Sequence, residues 1–220
     1  MQHKIIRAVF RFLFKYLSRL EVTGLENIPA QGACILAVNH LGWIDPALVL
    51  ALLERDDVTG LVADKYLRHP FFSRIVNAVN GIWINREHAD INALRAARNF
   101  LLSGGMLGIA PEGTRSRTGA LIAAKTGVAY LAEKARVPIL PVALWGTEKA
   151  IRELLRLRRP ALKIRFGKPF HLPSLEGGDR SAALQRNTDE IMCQIAAMLP
   201  PQYRGVYVDH PRLKELLAMP

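Results

Sequence analysis

Ala33-Cys34-Ile35-Leu36-Ala37-Val38-Asn39-His40-Leu41-Gly42-Trp43-Ile44-Asp45-Pro46 is the stretch that decides the fold. Its first six residues are apolar without alternation, as expected of a strand covered on both faces of a parallel sheet. A polar loop follows, and Asp45-Pro46 predicts a helix start with Asp45 as N-cap and Pro46 at the first helical position. A buried strand that passes through a tight loop into a helix is the building unit of an α/β domain. The loop lies at the strand's C-terminal edge, where open α/β sheets place their ligand sites.

Outward from this unit the same alternation continues. Short apolar runs predict strands over 33–38, 58–63, 81–84, 106–110, 139–144 and 161–167. Helical patterns fall between or after them at 46–54, 71–79, 89–103, 125–135, 147–157 and 181–199, the last stopped by Pro200-Pro201. The expected fold is an α/β domain over residues 23–220, with a mostly parallel or mixed central sheet flanked by helices. In 161–167, Leu162, Ile164 and Phe166 alternate with Lys163 and Arg165, so that strand should be half-exposed with a cationic outer face. Val137-Pro138-Ile139-Leu140-Pro141-Val142 places prolines in a buried-looking strand, which implies a bulge or a close backbone approach, or else an edge position.

At 220 residues and 50% hydrophobic content the chain can bury a sizeable core, which excludes a disordered chain. Two cysteines, Cys34 and Cys193, are too few for a disulfide framework and point to a reducing compartment. No group of residues has metal-ligand spacing, so no metal or bound cofactor is expected.

The net charge of +11 calls for an acidic partner, and its distribution narrows the choice. Residues 1–20 hold Lys4, Arg7, Arg11, Lys15 and Arg19 with no acid, a local +5. Residues 152–168 hold seven cations against Glu153, a local +6, so the remaining residues balance at zero. On a helical wheel the five cations of residues 4–20 share one arc and apolar residues fill most of the rest. That predicts an N-terminal amphipathic helix, residues 1–22, docked on an anionic membrane surface; an ordinary helix packed on the domain is the alternative. No transmembrane span or signal peptide is predicted. Nucleic-acid binding is disfavoured, because the neutral body lacks basic residues interleaved with exposed aromatics.

Two loops carry candidate chemistry. In the first, Asp45 can fold back onto the Nδ1–H of His40, leaving Nε2 free as a general base; the alternative is a helix cap beside an ordinary loop histidine. There is no Gly-x-Ser-x-Gly elbow, so the nucleophile is expected to be a substrate hydroxyl or water. In the second, Ala110-Pro111-Glu112-Gly113-Thr114-Arg115-Ser116 follows another apolar strand and offers a glycine, hydroxyls and a guanidinium suited to phosphate or carboxylate; the alternative is a polar turn with a surface arginine. There Glu112 either holds Arg115 or binds a hydroxyl. A further strand, Gly81-Ile82-Trp83-Ile84, delivers Arg86 to the same sheet edge.

Taken in order, NHLGWID, GIWINR, APEGTRS and VPILPV resemble the four blocks of the glycerolipid acyltransferase family, which includes bacterial 1-acylglycerol-3-phosphate acyltransferases. The resemblance implies His40 as general base and Asp45 as its orienting partner. It implies Arg86, Glu112, Gly113, Thr114 and Arg115 as the binding site for the acceptor's glycerol phosphate, and a structural role for Pro141. It further implies a lysophospholipid acceptor, acyl-CoA or acyl carrier protein as donor, and a peripheral, monotopic protein on the cytoplasmic face of a membrane. Acylation of glycerol-3-phosphate or another lysolipid, and a non-catalytic anionic-membrane-binding module, are the other readings. Gly42, Trp83, Ala110 and Ala124 depart from residues common in the family, which often has Ser at the first of these positions and Phe at the other three.

Overall fold

Residues 34–38 form a strand with every residue buried, because helices cover both faces of the sheet at this point. The computed structural model describes residues 2–86, 88, 90–174 and 179–219. In chain order, helix α1 (Gln2–Leu17) is followed by strands β1 (Arg19–Thr23) and β2 (Cys34–Val38). Then come α2 (Asp45–Leu52), β3 (Val58–Ala63), α3 (Pro70–Ala78), β4 (Ile82–Ile84), α4 (Ile91–Leu102) and β5 (Met106–Ile109). The remainder is α5 (Gly127–Ala135), β6 (Ile139–Trp145), α6 (Ala150–Leu155), β7 (Ala161–Phe166), α7 (Arg180–Met198) and α8 (Pro211–Ala218).

The seven strands form one sheet in the order β1-β7-β6-β2-β5-β3-β4. All pairings are parallel except β6 with β7, so the sheet is mixed. Two apolar clusters, one on each face, bury Ile35 and Ala37 with α5 and α7 on one side and Leu36 and Val38 with Leu53 on the other. β7 alternates as expected, with Leu162, Ile164 and Phe166 buried and Arg165 exposed.

Pro141 occupies a central strand, and the sheet accommodates it by a bulge. Ile139 bridges Phe170 and Val142 pairs with Phe166, leaving one extra residue on the partner side. Gly167 lies in that extra stretch, where a Cβ would sit 2.8 Å from the Pro141 ring.

Several features differ from the sequence expectation. First, the N-terminal helix stops at Leu17, and Arg19–Thr23 is a strand paired with β7. Leu20 and Val22 face inward while their neighbours face solvent. The predicted helix over 89–103 begins at Ile91, capped by Asp90; Ala89 lies outside the described residues. Second, the cations of α1 do not all look outward. Arg7 is buried and donates to the carbonyls of Leu53 and Arg55 and to Asp56; Arg11 Nε donates to Ala51 O at 3.1 Å. Lys4 pairs with Asp56 at 3.6 Å. The polar arc therefore lies against the carbonyl-rich C-terminal end of α2, a favourable place for cations. The exposed surface of α1 is mostly apolar, with Ile5, Val9, Phe12, Leu13, Tyr16 and Leu17 beside the exposed Lys4, Arg11 and Lys15. No described helix is long and apolar enough to cross a membrane.

Candidate active site

The sheet brings the first two candidate loops together because β2 and β5, which precede them, are neighbours. Asn39 fixes the end of β2: its Oδ1 accepts the Leu144 N–H at 2.8 Å and its Nδ2 donates to Leu144 O at 2.9 Å. This clamp to β6 anchors the strand end from which the chain passes into His40. The sequence places Asn39 at the head of the first loop but assigns it no role.

His40 Nδ1 lies 2.8 Å from Asp45 Oδ2. The same oxygen accepts the N–H groups of Leu41 (2.7 Å) and Gly42 (2.8 Å), and Asp45 is 3% exposed. Asp45 is thus not the predicted N-cap; it is the first residue of α2, and its carboxylate serves the loop before it instead of its own helix. An oxygen with three donors cannot swing away, so the imidazole is held in one orientation. Nε2 of His40 makes no hydrogen bond among the described residues. The N–H groups of Leu41 and Gly42 are committed to Asp45 and are not free for an oxyanion. Gly42 is tight: a Cβ there would meet Thr147 O at 2.6 Å and Thr147 Cβ at 2.9 Å. Thr147 therefore fills the space that a side chain at position 42 would need.

Glu112 does not reach for Arg115. Its Oε2 accepts the backbone N–H of His40 at 2.7 Å and its Oε1 that of Ile122 at 3.0 Å. The adjoining Ser116 N–H donates to His40 O at 2.8 Å, so both backbone polar groups of the histidine are tied to the second loop. Burial pushes the Glu112 carboxyl up to about 7, opposed by the two N–H groups and reinforced by the nearby Asp45 charge. Gly113 adopts φ +67, which favours glycine, and closes a turn onto Ala110 O. Thr114 is exposed beside it.

Arg115 stacks its guanidinium on the Trp43 ring, 4.2 Å from the centroid. This links the tips of the two loops and leaves the edge of the guanidinium available to an anion. Arg86, two residues beyond β4, is half-buried; burial lowers its pKa, opposed by Asp64 and Tyr66. It is joined to the second loop by Lys125, whose Nζ donates to Arg86 O at 3.0 Å while its methylenes pass over Gly113. Lys125 and Glu112 thus tie three loops into one unit, a role that only tertiary contacts reveal. An open cleft of about 860 Å³ begins at Leu41 and Trp43 and runs between Arg115 and α6, where Arg152 and Arg156 face it.

Residues 19–145 match the model of the family described as Acyltransferase. The chain is 33% identical over 135 residues to the 1-acyl-sn-glycerol-3-phosphate acyltransferase of Borreliella burgdorferi, covering 59% of this chain and 52% of that protein. It is 22% identical over 180 residues to the protein of that name from Bacillus subtilis, covering 79% and 88%. With the Cocos nucifera protein of the same name it shares 32% identity over 140 residues, covering 62% and 45%. The chain thus spans about half the length of the Borreliella and Cocos relatives. Among solved structures, the 1-acyl-sn-glycerophosphate (LPA) acyltransferase PlsC of Thermotoga maritima superposes with a TM-score of 0.65 at 26% identity, covering 86% of this chain and 76% of that one.

Proposed function

This chain belongs to the acyltransferase family, and from that premise we propose that it moves a fatty acyl group from a thioester donor to the free hydroxyl of 1-acylglycerol-3-phosphate, forming phosphatidic acid. The observation that carries the reading is the His40–Asp45 contact of 2.8 Å, with Asp45 immobilised by two further N–H donors and Nε2 of His40 left unengaged.

His40 Nε2 takes the proton of the acceptor hydroxyl as that oxygen attacks the thioester carbonyl. Asp45 stabilises the imidazolium that forms, and the proton then passes to the departing thiolate. A thioester supplies the driving force, so no metal or bound cofactor is needed. Arg86 and Arg115 hold the acceptor's phosphate, with the Gly113 turn and the Thr114 hydroxyl alongside. Glu112 acts as a positioning residue for His40. Holding donor and acceptor together contributes the entropic part of the rate enhancement.

The acceptor resides in a membrane, and α1 is the docking element, through its exposed apolar face more than through its cations. Acyl-CoA and acyl carrier protein both carry the thioester this chemistry requires. Mass spectrometry of products from the purified protein, offered a panel of lysolipids and both donors, tests the proposal. Phosphatidic acid from 1-acylglycerol-3-phosphate is the expected product; turnover of every other acceptor but not this one would refute the assignment.

A further inference from the structure

The two most exposed leucines of the described chain stand together at the end of α6: Leu155 is 81% and Leu157 97% exposed. They sit within Leu155-Arg156-Leu157-Arg158-Arg159, five consecutive exposed residues, and no acid occurs from 154 to 168. The backbone here is a helix stop of the Schellman type. Leu157 N–H donates to Leu154 O at 2.9 Å and Arg158 N–H to Glu153 O at 2.9 Å. Such a stop needs a left-handed residue, ordinarily glycine, and Leu157 fills it at φ +57. A branched side chain in a disfavoured conformation, packed on nothing, carries a cost with no return inside the fold.

We propose that this tip is a second membrane contact, with Leu155 and Leu157 entering the acyl region of an anionic bilayer and Arg156 and Arg158 meeting its phosphates. Charge complementarity selects an anionic surface, and the interleaved leucines select a lipid one over the face of an acidic protein. The tip also adjoins α1. Arg159 Nη2 donates to Lys15 O at 3.0 Å and to Ser18 O at 2.6 Å, so the tip follows directly on the end of the helix that exposes Tyr16 and Leu17. One turn earlier, Ile151 and Arg152 line the cleft beside the His40 loop. A bilayer held at the tip therefore lies at the mouth of that cleft, which is where a lysolipid acceptor would enter if the proposed function holds.

The test is sedimentation of the full chain with vesicles of equal parts phosphatidylglycerol and phosphatidylcholine, and with phosphatidylcholine alone. Leu157→Gly keeps the helix stop and removes only the side chain. It is expected to lower vesicle partitioning about tenfold, the weight of one leucine transferred from water, with a melting temperature equal to or above that of the parent. Arg158→Gln is expected to lower partitioning about fivefold, on the anionic vesicles alone. Unchanged partitioning of Leu157→Gly would overturn the proposal. So would unchanged partitioning accompanied by slower transfer from a carrier-protein donor, which would make the tip a protein-docking site. Partitioning needs no turnover, so a failure of acyl transfer would sink the enzymatic reading and leave this one to its own result.

Discussion

The carboxylate of Glu112 holds the backbone N–H of His40 at 2.7 Å, so the histidine of one loop is positioned by the acid of the other. Burial raises that carboxyl to about 7, well above its ordinary 4.5. Between those values the folded protein keeps a proton that the unfolded chain has released, so the contribution of Glu112 to stability falls as pH rises through about 4.5 to 7 and is constant below that window. The expected loss is on the order of 3 kcal/mol. Denaturant unfolding of the parent and of Glu112→Gln checks this: the slope belongs to the parent, and the variant is expected to lack it.

Asp45→Asn separates orientation from charge. Three donors converge on Oδ2, so the amide must place its carbonyl there and its NH2 at Oδ1, which is buried and without a hydrogen-bond partner among the described residues. The loop is retained, but the imidazolium loses its counter-charge. The rate constant kcat is expected to fall roughly 10²–10⁴-fold with KM near that of the parent. A rise in KM at unchanged kcat would place Asp45 in binding instead.

Gly42 records a steric exchange with Thr147. Gly42→Ser puts a Cβ into the Thr147 carbonyl, which is backbone and cannot be trimmed by mutation. The expected cost is about 1–3 kcal/mol, read from the urea midpoint, and Thr147→Ala is expected to recover only part of it.

Arg115 separates charge from shape. Arg115→Lys keeps the cation but loses the flat stack on Trp43 and the two-pronged donor set. The acceptor KM is expected to rise about tenfold or more, with the donor KM unaffected. Equal effects on both substrates would move Arg115 to the donor's side of the cleft.

The loops were legible in the sequence because their chemistry is local. An apolar strand, a turn glycine and the spacing from His40 to Asp45 follow from a few residues each, and the structure brings His40, Asp45, Glu112 and Arg115 to one end of the sheet. The illegible parts depend on distant partners. β1 is five residues long, joined to a helix, and acquires its pairing only from β7, more than a hundred residues later. The Asn39 clamp needs Leu144, and the Lys125 tie needs Arg86. For α1 a helical wheel separates two faces, but only α2 decides which of them is buried.

That orientation changes what salt should do. With Lys4, Arg7 and Arg11 engaged by α2 and the residues just after it, the proposed vesicle binding through α1 is expected to depend on Phe12, Tyr16 and Leu17. Phe12→Ser is expected to weaken vesicle sedimentation about tenfold, more than a change from low to physiological salt does. Binding by residues 18–220, which keep β1 whole, as strong as that of the full chain would remove α1 from the interface.

The role of His40 as general base is read from the initial rate of acyl transfer to 1-acylglycerol-3-phosphate by His40→Ala beside the parent, followed by mass spectrometry of phosphatidic acid. A loss of at least about 10³-fold is expected, with the lysolipid still bound at near-parental affinity. Transfer at the parental rate without the imidazole would contradict that role.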